Sequence, residues 1–251
     1  MADRIAGATL RAVDISAGYG ARPVIEGVSV IVRPGEIAAI VGPNGSGKST
    51  LLKSLAGVIP VLSGRVLLDE RDITNLAAED IARIGVGYVP QIDDVFAALT
   101  VRENLEMGGY LLPTGQVRAR IEHVVTVFPK LGSLLGRRAG GLSGGERKML
   151  AMSRCLMLEP AVFILDEPTA NLAPVVARMV LEEQVGRLAA SGASILIVEQ
   201  RAKAVLAICD HAYVLGGGRL RMAGTRVELA ADPAFVHTFL GGGHTPQTSG
   251  D

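Results

Sequence analysis

The chain sets short, unbroken apolar runs between amphipathic stretches. Residues 37–41, 161–165 and 194–198 are segments of strand length, apolar throughout but for Ser194 at the head of the third, the pattern of parallel strands buried on both faces. Positions 10–16 alternate apolar and polar, and 28–32 is a β-branched run closed by Pro34-Gly35; both predict half-buried strands. Shorter strands are expected at 66–68 and 86–89, and a hairpin at 212–215 and 219–222 across Gly216-Gly217-Gly218. Helical spacing marks 49–56, 77–83, 117–128, 146–158, 174–190 and 201–208, with Pro174 in the first turn of its helix. From about 91 to 158 the helical pattern dominates, broken at Pro113-Thr114-Gly115 and Gly140-Gly141, so this block reads as an insertion. Strands alternating with helices predict an α/β fold with a mostly parallel sheet. The segment 241–251, rich in Gly, Ser, Thr and Pro, predicts a disordered tail.

Composition narrows the class. Apolar residues make up 49% of 251, enough for a substantial core. The 25 basic and 25 acidic residues cancel, and no long basic tract stands out, which argues against a nucleic-acid partner. The first seven residues lack the apolar centre of a signal peptide. No uncharged apolar run approaches the ~18 residues that span a bilayer, so any pore is expected on another chain. Cys155 and Cys209 suit neither a disulfide framework nor a zinc site, and are expected as reduced, buried thiols. His123, His211, His237 and His244 lack metal-ligand spacing.

One segment carries specific chemistry. Gly42-Pro43-Asn44-Gly45-Ser46-Gly47-Lys48-Ser49 brackets four residues with two glycines and ends in Lys-Ser, followed by Thr50. The glycines let the backbone wrap closely, so successive N–H groups point at phosphate oxygens. Lys48 supplies a point charge to the β- and γ-phosphates, and Ser49 a hydroxyl to Mg²⁺. The expected helix from Ser49 aims its positive end at the same anion. The motif follows an expected buried strand and opens a helix, the context it requires. A second segment, Val162-Phe163-Ile164-Leu165-Asp166-Glu167, is an apolar strand ending in two carboxylates. Asp166 is placed to hold Mg²⁺, and Glu167 to orient or deprotonate a water beside the γ-phosphate.

Leu142-Ser143-Gly144-Gly145-Glu146 matches the signature of ATP-binding cassette (ABC) ATPases. A serine and two glycines at a helix start make an anion-binding end, and Ser143 with Glu146 also reads as a capping box. The resemblance covers nearly the whole chain. It implies a single ABC ATPase domain over 8–240: a phosphate-loop NTPase core, an antiparallel β subdomain, and a helical subdomain inserted at about 92–158. It implies that Tyr19 stacks on adenine and that Gln91 senses Mg²⁺ and the attacking water. It implies that Ser143, Gly144 and Gly145 close over ATP held by a second subunit, in a head-to-tail dimer. Residues 92–105, which follow Gln91, are the expected contact for a membrane subunit.

Two departures refine the resemblance. The family's switch histidine is Gln200 here, which can donate a hydrogen bond but cannot become a cation. The loop Ala170-Asn171-Leu172-Ala173-Pro174 lacks the family's usual aspartate. Both features resemble the second ATPase of branched-chain amino acid, urea or amide uptake systems, as does 99–109, although Asn171 replaces a glycine. That subfamily implies a second, different ATPase, two transmembrane permeases, a solute-binding protein acting indirectly, and a peripheral place on the cytoplasmic face of the inner membrane. A homodimer stays open. A non-transport ABC protein is disfavoured by the single cassette and the lack of heptads. A binding module without hydrolysis is disfavoured by Glu167.

Overall fold

The computed structural model of the chain describes residues 6–20, 22–92 and 94–241. The expected tail therefore lies, but for its first residue, outside the described residues. Among the described residues ten strands are formed: β1 (Leu10–Ala17), β2 (Ile25–Val32), β3 (Ile37–Val41), β4 (Val61–Leu68), β5 (Arg71–Asp72), β6 (Val86–Val89), β7 (Val162–Asp166), β8 (Ser194–Glu199), β9 (His211–Gly216) and β10 (Arg219–Thr225). They make two sheets. One is four-stranded and antiparallel, in the order β2-β1-β4-β5. The other runs β10-β9-β3-β8-β7-β6, parallel except for the β9–β10 hairpin.

The large sheet is buried on both faces, which is why its strands read as unbroken apolar runs. Side chains alternate across a strand. Ile37, Ala39 and Val41 of β3 join Phe163, Leu165, Ile195 and Ile197 in one core. Ala38 and Ile40 join Ile164, Leu196 and Val198 in the other, which the antiparallel sheet and α1 (Lys48–Leu55) complete. The remaining early helix, α2 (Ala78–Arg83), precedes β6.

The connection from β6 to its parallel neighbour β7 is the helical insertion. It holds α3 (Val101–Gly108), α4 (Thr114–Val127), α5 (Pro129–Gly132) and α6 (Gly144–Leu156). α6 begins at a capping box: Ser143 Oγ accepts from the Glu146 N–H at 3.3 Å, and the Glu146 carboxylate accepts from the Ser143 N–H at 2.9 Å. After β7, one helical run holds α7 (Pro174–Met179), a π turn over Val180–Val185, and α8 (Gly186–Ala190). α9 (Ala202–Leu206) follows β8; α10 (Arg226–Ala231), α11 (Pro233–Phe235) and a π turn to Gly241 come last among the described residues. Among the described residues no helix is long and apolar enough to cross a membrane.

The structure extends several expected elements. β4 starts at Val61, five residues before the expected 66, because Leu62–Arg65 are exposed and are held by the ladder to β1 rather than by burial. β2 starts at Ile25, ahead of Gly27, whose φ of 61° separates Ile25 from the β-branched run. The expected hairpin is present and longer, reaching Thr225. Both thiols are free. Cys209 is buried in the core and Cys155 is partly buried beside Gly87.

Candidate active site

The phosphate loop spans the gap from β3 to α1, and its glycines are required by contact as well as by conformation. A Cβ at Gly42 would lie 2.2 Å from the Leu215 carbonyl oxygen. Gly47 has φ 98°, and a Cβ there would lie 2.4 Å from Ile25 Cγ2. Lys48 folds back into the loop, where its ammonium donates to the carbonyls of Gly42 at 2.9 Å and Pro43 at 3.0 Å. Burial pulls this ammonium below the usual lysine range; Glu167 and then Asp166 oppose that pull. Ser46 Oγ is buried and has no hydrogen-bond partner among the described residues. An orphaned hydroxyl beside a buried cation, inside a ring of glycines, is what an anion's oxygens would satisfy.

The acidic pair leaves β7 in two directions. Asp166 accepts from Ser49 Oγ at 3.1 Å and from the Tyr88 hydroxyl at 3.2 Å. Burial raises its carboxyl above the usual range, and those two bonds offset part of the rise. Tyr88, on the neighbouring β6, is a participant that sequence reasoning missed. Its phenol is pushed well up, by burial first and then by Asp166. Ser49 and Asp166 are hard oxygen donors side by side, a set suited to a hard divalent cation.

Glu167 takes a left-handed backbone, φ 46°, while its N–H donates to the Val198 carbonyl at 3.0 Å. This turns its carboxylate away from the strand and toward the loop. Its Oε2 accepts from Gln91 Nε2 at 2.8 Å and from Gln200 Nε2 at 2.6 Å, and its Oε1 lies 4.0 Å from Lys48 Nζ. The meeting follows from topology. β6, β7 and β8 are parallel neighbours, so their carboxyl ends deliver Gln91, Glu167 and Gln200 to one place.

The loop after Glu167 is held from both sides of Gln200. Buried Glu199 accepts from the Thr169 N–H at 3.0 Å, and Arg201 donates to the Leu172 carbonyl at 2.8 Å. Burial raises the Glu199 carboxyl, with the Thr169 contact opposing. Asn171 has φ 61°, a conformation that glycine and asparagine tolerate best, which accounts for asparagine at this position.

A cavity of about 260 Å³ collects most of the expected groups: Asn44, Gly45, Gly47 to Thr50, Gln91, Glu167 and Gln200. Asp166 stands behind it, bonded to Ser49. Tyr19 does not line it. That ring is 61% exposed, and its hydroxyl accepts from Lys53 at 3.4 Å. Ser143, Gly144 and Gly145 also stand outside it. Gly144 and Gly145 pack toward Leu172, Val176 and Met179, so one copy of the chain leaves its signature turned away from its own loop. The Glu146 carboxyl is held down to about 2 by the Ser143 N–H and by Lys130.

Known proteins show the same architecture. The ABC transporter family model matches residues 25–170. A probable branched-chain amino acid transport ATP-binding protein, LivF of Archaeoglobus fulgidus, is 41% identical over 92% of this chain and 98% of its own length. The high-affinity branched-chain amino acid transport ATP-binding protein BraG of Pseudomonas aeruginosa is 38% identical over 91% and 97%. The lipopolysaccharide export system ATP-binding protein LptB of Escherichia coli is 33% identical over 93% and 98%. Among solved structures, a nucleotide-free ATP-binding cassette from an ABC transporter superposes with a TM-score of 0.82 at 30% identity, covering 94% of this chain and all of that one. The ADP conformation of the cassette MJ1267 gives 0.81 at 31%, covering 94% and 99%. Family model, relatives and fold agree with one another, and the chain belongs to the ABC transporter family as an ATP-hydrolysing, ATP-binding subunit.

Proposed function

We propose that this subunit holds Mg²⁺–ATP in the 42–50 cradle and hydrolyses it to drive uptake of branched-chain amino acids through two separate transmembrane permeases. The observation that carries the mechanism is the single carboxylate oxygen of Glu167 gripped by Gln91 and Gln200. In this reading Lys48 leaves the Gly42 and Pro43 carbonyls for the β- and γ-phosphates, and Ser46 gains the partner it lacks. Ser49, Asp166 and Gln91 hold the metal, which when bound neutralises phosphate charge. Glu167 takes a proton from the attacking water, while Gln91 and Gln200 fix the direction of its lone pairs. Most of the rate then comes from positioning and charge stabilisation. Tyr19, exposed and in contact with Lys53 of α1, stacks on adenine once nucleotide is bound.

Residues 8–240 act as one ABC ATPase domain, with the insertion at 92–158. Ser143, Gly144 and Gly145, turned away from their own loop, close over the nucleotide of a second ATPase. Gln200 cannot carry a charge, so a histidine-bearing partner in a heterodimer is favoured over a homodimer. The subunit sits on the cytoplasmic face of the inner membrane, with a solute-binding protein acting indirectly. The cargo rests on LivF and BraG, which are more similar to this chain than LptB is. Reconstituted vesicles with the partner ATPase and permeases should take up labelled leucine only with Mg²⁺ and ATP inside the cytoplasmic compartment. Uptake of urea or a short amide without leucine would replace the cargo. Absence of Mg²⁺-dependent ATP turnover would remove the mechanism.

A further inference from the structure

Lys148 lies on α6, five positions beyond Ser143, and points into the protein rather than into solvent. Its ammonium is buried. It donates to the Gln91 carbonyl at 2.8 Å and to Asp94 Oδ2 at 2.7 Å, and Asp94 is itself buried. A second cation on the same helix reinforces the contact. Arg154 Nη1 donates to the Asp94 carbonyl at 2.5 Å, and its guanidinium stacks 4.4 Å over the Phe96 ring. A buried ion pair gives little net stability against an apolar pair of similar volume, so its presence asks for another reason. The reason visible here is geometric. The pair ties the backbone of Gln91 to the helix whose first residues are the signature, and the side chain of Gln91 reaches Glu167 at 2.8 Å.

We propose that Lys148 is a positioning residue that couples the signature helix to the reacting site of its own chain. The reading rests on the assignment of Glu167 and the signature given above. A short path links them: Ser143 opens α6, α6 carries Lys148, Lys148 holds the Gln91 carbonyl, and the Gln91 amide holds Glu167. A 13-residue helix transmits a tilt with little loss. When a second cassette engages the signature, the tilt of α6 moves Gln91 relative to Glu167. The state of one nucleotide site is thereby read at the other.

A double-mutant cycle on the full chain with its ATPase partner tests this. Lys148→Met should lower kcat about tenfold or more, the effect expected when a catalytic group is misplaced by a fraction of an ångström or more. The dissociation constant for ATP should stay within about twofold. In a Gln91→Ala background the same substitution should have less than about a twofold effect, because the path is already cut. Lys148→Arg should restore most of the rate. Asp94→Asn, which removes the carboxylate charge that holds the Lys148 ammonium in its place beside the Gln91 carbonyl, provides a second variant if Lys148→Met fails to fold; it should lower kcat in the same direction and with the same dependence on Gln91. An equal fold-loss with and without Gln91, or unchanged kcat beside a lower melting temperature, overturns the coupling and leaves a structural ion pair. Failure of the wild-type protein to turn over ATP would refute the parent assignment instead, so the two failures are distinguishable.

Discussion

Replacing Glu167 by glutamine is the sharpest test of the site. The substitution keeps volume and removes one acceptor oxygen and the charge. In the structure, Oε2 takes two amide donors and Oε1 faces Lys48 at 4.0 Å. A glutamine can present a carbonyl to only one side, so either the Gln91–Gln200 pair or Lys48 meets its own amide donor. Loss of a general base lowers turnover by roughly 10²- to 10⁴-fold, or about 3–5 kcal/mol in the barrier. Binding should move the other way. A unit charge at 4 Å acts with about 4 kcal/mol at an effective dielectric near 20, and in the free protein that attraction holds Lys48 toward Glu167. The same carboxylate repels triphosphate, so removing it should strengthen ATP binding. Single-turnover phosphate release and equilibrium binding of a fluorescent ATP analogue separate the two effects. Turnover near the wild-type rate, with the partner present, would remove Glu167 from the proton-accepting role; weaker ATP binding would refute the electrostatic argument.

Two further substitutions probe the supports. Asp166 has its carboxyl raised by burial, so folding is favoured by its protonated form below its ordinary value of 3.8, and that contribution is lost as pH rises through the higher folded value. Asp166→Asn should therefore raise the melting temperature of the nucleotide-free protein at neutral pH, by about 2–4 °C per kcal/mol regained, with the gain shrinking toward pH 4. The same variant should lose Mg²⁺-dependent turnover, and a lower melting temperature at pH 7 contradicts the desolvation argument. Gly47→Ala combines a left-handed backbone, about 1–2 kcal/mol, with the clash on Ile25, about 1–3 kcal/mol more. Gly45→Ala, at φ 76° with open space around its Cβ position, should cost only the first part. Equal destabilisation in chemical denaturation would show that contact with Ile25 is irrelevant.

The elements legible in the sequence were those whose physics is local or whose burial is complete. β3, β7 and β8 announced themselves because both faces of their sheet are covered, leaving polar residues only at strand ends. The phosphate loop was legible because its glycines answer to backbone geometry. The start of β4 was not, since Leu62–Arg65 are exposed and only the partner strand fixes them. α3 and α10 open on Thr100–Glu103 and Thr225–Glu228 capping boxes, signals present in the sequence but unread beside weak apolar periodicity. Gln91, Glu167 and Gln200 were each singled out, yet their convergence on one oxygen depends on strand order, which periodicity does not encode. Tyr88 and Lys148 gave no local signal, because each acquires meaning only from a residue many positions away.

The antiparallel sheet has a consequence for how the chain is made. Its strands leave the ribosome before β7, β8 and β9, yet they share one core with Val162, Ile164, Leu196, Val198 and Leu215, and the Tyr213 hydroxyl donates to the Ile31 carbonyl from 182 positions away. Residues 10–72 must wait, with greasy surface showing, until residues 162–215 emerge. Chaperone capture during synthesis should therefore concentrate on nascent chains that end before about residue 215, and fade once the hairpin strand bearing that tyrosine is out.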